Sequence, residues 1–287
     1  MGIGMLVLVL ELAAHQFESI LVKLYGKNHR TGGMLFNAII CLFAMIFSFV
    51  TDKGTLQFPA GVVIYGLVNS TMYAVGFYAG FLAFKTGSFG LTKLFSSFGV
   101  ILSTFYGILF LGEPMSVWSY VALCMIILSI FLMNYGKDDG DTQKITLKWV
   151  ISILLVVLSN VAITIIGRMQ FGVYGDTYKN EFLILSLGGA TLLLVVFALI
   201  FEADSFKTTF KYGLVYGAGA GVFNGVKSLF SLVIYNYLPI SFVSPAKAGL
   251  GVVFGFLVSM VFFKEKFSCR QIISVFIGIA AVVIMSL

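Results

Sequence analysis

Apolar runs of about twenty residues follow one another through almost the whole chain, and the short stretches between them hold most of its charges. A run of that length, wound as an α-helix, matches a hydrocarbon core roughly 30 Å thick. A membrane barrel would instead need alternating strands of about ten residues, and these runs are continuous. Turn and charge signals delimit ten segments, at 3–24, 33–51, 60–84, 88–111, 115–134, 147–168, 181–201, 211–234, 240–263 and 270–287. The composition agrees. The chain is 60% hydrophobic and 10% charged, whereas a soluble domain is roughly a quarter charged. A soluble enzyme, a nucleic-acid module and a disordered chain are excluded on that ground. The expected fold class is an all-α integral membrane protein, multi-pass in the cell membrane with the lipid bilayer as its solvent.

The longest connection, from Gly136 to Thr146, carries Lys137, Asp138, Asp139, Asp141 and Lys144. It divides the chain into 1–136, a polar linker at 137–146, and 147–287, with five segments on each side. The halves resemble each other. Setting Gly99 on Gly251 without gaps also sets Val100 on Val252, Phe110 on Phe262, Glu113 on Glu265 and Ser116 on Ser268. Gly66-Leu67-Val68-Asn69 has a counterpart in Gly221-Val222-Phe223-Asn224. Five is odd, so a second copy crosses the bilayer in the opposite sense. That predicts ten transmembrane helices as two inverted five-helix repeats around a central polar cavity, the plan of many secondary transporters.

Sidedness follows from Lys and Arg, which concentrate in cytoplasmic loops. The connections after segments one, three, five, seven and nine, with their helix ends, hold twelve of them, including Lys23, Arg30, Lys85, Lys207, Lys211, Lys264 and Arg270. The opposite connections hold Lys53, Arg168 and Lys179. The count puts both termini outside and also accounts for the net charge of +6 without a nucleic-acid partner. The first segment is not expected to be a cleavable signal, because no basic residue precedes it and Glu11 interrupts it. Cys41, Cys124 and Cys269 lie in or beside apolar segments with no Cys-x-x-Cys spacing and are expected to be core thiols. Trp118 and Trp149 sit at segment ends, where indole rings favour the headgroup level.

Ionisable residues within a span cost about 2.5–3.5 kcal/mol each on insertion scales, so each one asks for a role. Glu11, His15 and Glu18 are spaced i, i+4, i+7 and project from one helix face. This stripe suits proton movement or recognition of an ammonium group. Ion pairs with intramembrane lysines are the structural alternative. A metal is not expected, since one helix face offers three ligands and no His or Cys cluster joins them. Asn224, Lys227, Ser228, Ser231 and Tyr235 form a second polar stripe; Asn69, Tyr73, Gly76 and Gly80 share a face of the third segment. Lys93 and Lys247 enter the fourth and ninth segments at near-equivalent depths and suit a carboxylate or phosphate. Glu113 and Glu265 lie in tight loops and are expected to cap the following helix or pair with loop lysines.

Ten short-looped helices in two copies, with Phe110-Leu111-Gly112-Glu113-Pro114-Met115-Ser116 closing the fourth, resemble the EamA-like branch of the drug/metabolite transporter superfamily. Phe262-Phe263-Lys264-Glu265-Lys266-Phe267-Ser268 keeps the Glu and Ser of that motif and lacks its Gly, so the family loop motif falls on Gly112, Glu113 and Glu265. The resemblance covers the whole chain. It implies secondary transport, often export, of amino acids or other small metabolites through a cavity between the halves. Family members usually keep both termini cytoplasmic, the reverse of the charge count. The lysines of segments four and nine are similar to those of the organic-phosphate branch, which implies an anion exchanger as the second transport reading.

A small charged or zwitterionic metabolite is the expected substrate, with protons as the expected coupling partner and a monomer or homodimer as the functional form. Having both signs of charge available favours an amino-acid-like zwitterion. No cofactor is implied, and no Gly-x-x-x-x-Gly-Lys-Ser/Thr loop is present for direct use of ATP. A membrane-embedded lipid-modifying enzyme is the reading from another class. It lacks the His pairs or Asp-rich metal motif such chemistry needs, and the chain is not expected to be an enzyme.

Overall fold

Within lipid every backbone N–H and C=O must be satisfied inside its own segment, so long apolar runs wind into helices. The computed structural model describes residues 2–29, 32–52, 54, 56–86, 99–113, 116–134, 146–263 and 269–285. Among them are ten α-helices: α1 (Gly2–His29), α2 (Gly33–Thr51), α3 (Ala60–Thr86), α4 (Gly99–Leu111), α5 (Val117–Asn134), α6 (Leu147–Tyr174), α7 (Lys179–Phe201), α8 (Phe206–Val233), α9 (Ile240–Phe263) and α10 (Cys269–Met285). Short 3-10 turns precede and follow α8: η1 (Ala203–Ser205) and η2 (Ile234–Asn236). No strand occurs among the described residues. Seven helices, α1, α2, α3 and α6 through α9, are long and apolar enough to cross a membrane. Most of the linker, Lys93 and Glu265 lie outside the described residues.

Contacts gather the chain into two compact units, and each draws on both halves of the sequence. The first comprises Met1–Phe81 and Ala162–Asn236; the second comprises Leu82–Val161 and Tyr237–Leu287.

In the first unit α8 packs along both α1 and α2, and α2 packs on α7. Every fourth residue of α8 from Gly213 to Gly225 is glycine, and this stripe faces α2. A Cβ on Gly221 would stand 2.7 Å from the Ile40 carbonyl oxygen, and one on Gly225 would stand 2.6 Å from the Phe47 ring. Small residues let helix backbones approach where no hydrophobic effect drives them together. Here they seat α8 firmly enough to aim its polar residues. Behind them, Cys41, Val62, Phe182, Leu187 and Leu232 form a buried apolar cluster.

In the second unit α5 packs on α10, and α9 packs on α4, α5 and α10. Gly112, at φ 63°, ends α4 in the left-handed conformation that only glycine adopts without strain. The chain then turns Glu113 back, and its N–H donates to the Gly107 carbonyl at 3.1 Å. The carboxylate accepts from the backbone N–H groups of Ile240 (3.2 Å) and Ser241 (2.8 Å), the first turn of α9. Glu113 therefore caps a helix 127 residues further along the chain, where the sequence had suggested the following helix or a loop lysine. Trp149, at the start of α6, is buried with Ala83 and Ile153, while Trp118, at the start of α5, is exposed.

Candidate functional site

Two facing helices of the first unit bring the charged stripes together. Glu18 of α1 accepts a hydrogen bond from Lys227 Nζ at 2.7 Å and, through its other oxygen, from Asn224 Nδ2 at 2.7 Å. Both donors belong to α8, and their spacing of three residues puts them on one face. The Asn224 side-chain oxygen accepts in turn from Ser228 Oγ at 3.4 Å. His15, one turn before Glu18, sets its Nδ1 3.3 Å from the oxygen that Lys227 holds. Tyr73 of α3 packs against the buried cluster that contains Cys41 of α2, and both groups lie within electrostatic range of Glu18. Four helices thus converge on one carboxylate–ammonium pair.

The pair is neither sealed nor bare. The Glu18 side chain is 12% exposed and that of Lys227 is 24% exposed. At that degree of burial opposite charges attract strongly, and separating them leaves each one a large desolvation cost. The arrangement can hold one cation and one anion side by side, and it can exchange either for another group of the same sign.

Other residues of the sequence reading fall elsewhere. Asn69 is buried in α3 and donates to Ser186 Oγ of α7 at 3.1 Å, so the two matching asparagines have different partners. Glu11 is buried two turns before Glu18 on α1, and Ser231 lies on α8 one turn beyond Lys227; both engage neighbours. Lys247 is half-buried on α9 in the second unit, which also holds the exposed Gly112 and the half-buried Glu113 at the end of α4. Among the described residues no group of His, Cys, Asp or Glu is arranged to hold a metal ion.

No protein-family model and no curated protein matches the chain. The fold, by contrast, has been seen by experiment: 28 solved chains match it. One of them, known from a crystal structure, aligns with a TM-score of 0.77 over 98% of this chain and 98% of its own at 12% identity. At that identity the likeness speaks for the fold alone.

One polar residue, Gln170, escaped the sequence reading, and another, Arg168, was counted with a connection, because α6 is longer than its apolar segment. The reading ends at 168, whereas the helix continues to Tyr174 and is stopped by Gly175 at φ 58°. Arg168, counted from sequence among loop charges, therefore lies inside a helix long enough to span, its guanidinium carbon 5.5 Å from the centroid of the Tyr235 ring. Gln170 is fully buried there, and among the described residues neither end of its amide meets a hydrogen-bond partner. An unpaired buried amide costs about 1–3 kcal/mol, and an apolar residue of similar shape removes that cost. Gln170→Met is therefore expected to raise the unfolding midpoint of the purified protein; a lowered midpoint would show that the amide has a partner in solution.

Proposed function

We propose that this chain is a secondary active transporter of a small zwitterionic metabolite, amino-acid-like, working by alternating access. The observation that carries the reading is the Glu18–Lys227 pair, held by Asn224 between two long apolar helices. Leu would pack better at either position, and a buried ion pair is weak evidence for stability. An exchange of partners gives the pair a use. The ammonium group of an incoming zwitterion takes the place of Lys227 on Glu18, and its carboxylate takes Lys227. Neither protein charge is left alone in either state, so substrate enters without a large electrostatic barrier. A pure anion has no such compensation, because Glu18 already balances Lys227.

In this reading the ten helices are two inverted five-helix repeats of the EamA-like type around a central polar cavity. The Lys- and Arg-rich connections are cytoplasmic and both termini lie outside. His15, beside the Glu18 oxygen that binds Lys227, is the group through which protons couple to that exchange. Substrate shifts the balance between inward- and outward-open states only by binding one more tightly than the other.

The test is counterflow in proteoliposomes loaded with single L-amino acids. Accumulation of the labelled form of at least one of them is expected. If none moves while an added lipid or metabolite is chemically converted, the membrane-enzyme reading replaces this one.

A further inference from the structure

A second charged position stands about two helical turns from the first. α1 and α8 run antiparallel: Phe17 stacks on Phe223 with ring centroids 5.1 Å apart, and His29 stacks on Tyr212 at 4.5 Å. Glu11 precedes Glu18 by seven residues, roughly 10 Å at 1.5 Å per residue, and so lies level with the last turn of α8, beyond which α1 also packs on η2. η2 contributes the buried Tyr235, whose ring lies 6.0 Å from Phe171 and under the Arg168 guanidinium. An acid from α1 and a guanidinium from α6 thus stand toward the same end of one compact unit, the guanidinium over Tyr235.

Arg168 has an easier place to be. It lies six residues, about 9 Å, from the end of α6, within reach of the headgroups for so long a side chain. Instead of leaving the protein it is half-buried, over an aromatic ring. Both Arg168 and Glu11 already engage neighbours, so a ligand here displaces contacts, as at Glu18 and Lys227.

The geometry points to Arg168, Tyr235 and Glu11 as a second binding position for a zwitterion, in which the planar guanidinium takes the carboxylate bidentately and Glu11 takes the ammonium group. It rests on the transport reading and deepens it: the permeant passes between two positions, each holding one charge of either sign. A carboxylate is therefore required of it, and an amine lacking one is excluded.

Equilibrium binding of a ¹⁴C-labelled mixture of L-amino acids to the purified full chain tests this. Two equivalents per chain are expected for the wild type, one for R168Q, one for the double variant E18Q/K227M, and none when all three changes are combined. R168K keeps the charge and loses the fork, and is expected to weaken the second equivalent about tenfold. Should R168Q elute as an aggregate, R168K carries the test. A single equivalent in the wild type, or two in both R168Q and R168K at unchanged affinity, overturns the second position and leaves the first standing. No binding by the wild type overturns both.

Discussion

Replacing Lys227 by Met is expected to destabilise the protein by about 3–5 kcal/mol, because it leaves the Glu18 carboxylate buried with Asn224 and His15 but no cation held at 2.7 Å. Removing both charges is expected to do far less. In E18Q/K227M no unpaired charge remains, and stability should return to within about 1 kcal/mol of the wild type or exceed it. The non-additivity is the signature of a pair rather than of two independent residues, and a double-mutant cycle from denaturant unfolding in detergent reads it directly. Equal losses in K227M and in the double variant would mean that Lys227 acts through packing of its stem.

Glu113→Ala has the second largest expected effect. It removes the acceptor of two backbone N–H groups at the start of α9, where a carboxylate is favoured both by hydrogen bonding and by the helix dipole. About 3 kcal/mol should be lost, counting each of the two bonds to a charged acceptor at the low end of its usual range. E113Q keeps one acceptor oxygen and should lie between. Gly107 has the same task seen from the other side: a Cβ there would stand 2.6 Å from the Glu113 carboxylate and 3.1 Å from the Ser241 nitrogen. Thermal midpoints of E113A, E113Q and wild type, ranked in that order, are the check; an E113A midpoint equal to that of the wild type would show that α9 starts without this cap.

Much of the helical plan was legible from the apolar runs, since a segment that must satisfy its own backbone in lipid has few choices. Partnership was not. Periodicity says which residues share a face and is silent on which helix that face meets. The sequence offered ion pairing between the Glu11–His15–Glu18 stripe and intramembrane lysines as one outcome among several, and Glu18 with Lys227, 209 residues apart, is such a pair. Glu113 stood out through the Leu-Gly-Glu motif, yet its role needed the first turn of α9 in place. Arg168 was misplaced because Arg, Gln and Gly172 resemble the end of an apolar run. The stop lies at Gly175 instead, where the backbone turns left-handed.

Counterflow by E18Q/K227M reconstituted beside the wild type weighs the ion pair as machinery against the ion pair as scaffold. A protein that unfolds no more readily than the wild type but exchanges none of the amino acids the wild type moves is the predicted outcome. Undiminished exchange by the uncharged variant would contradict it.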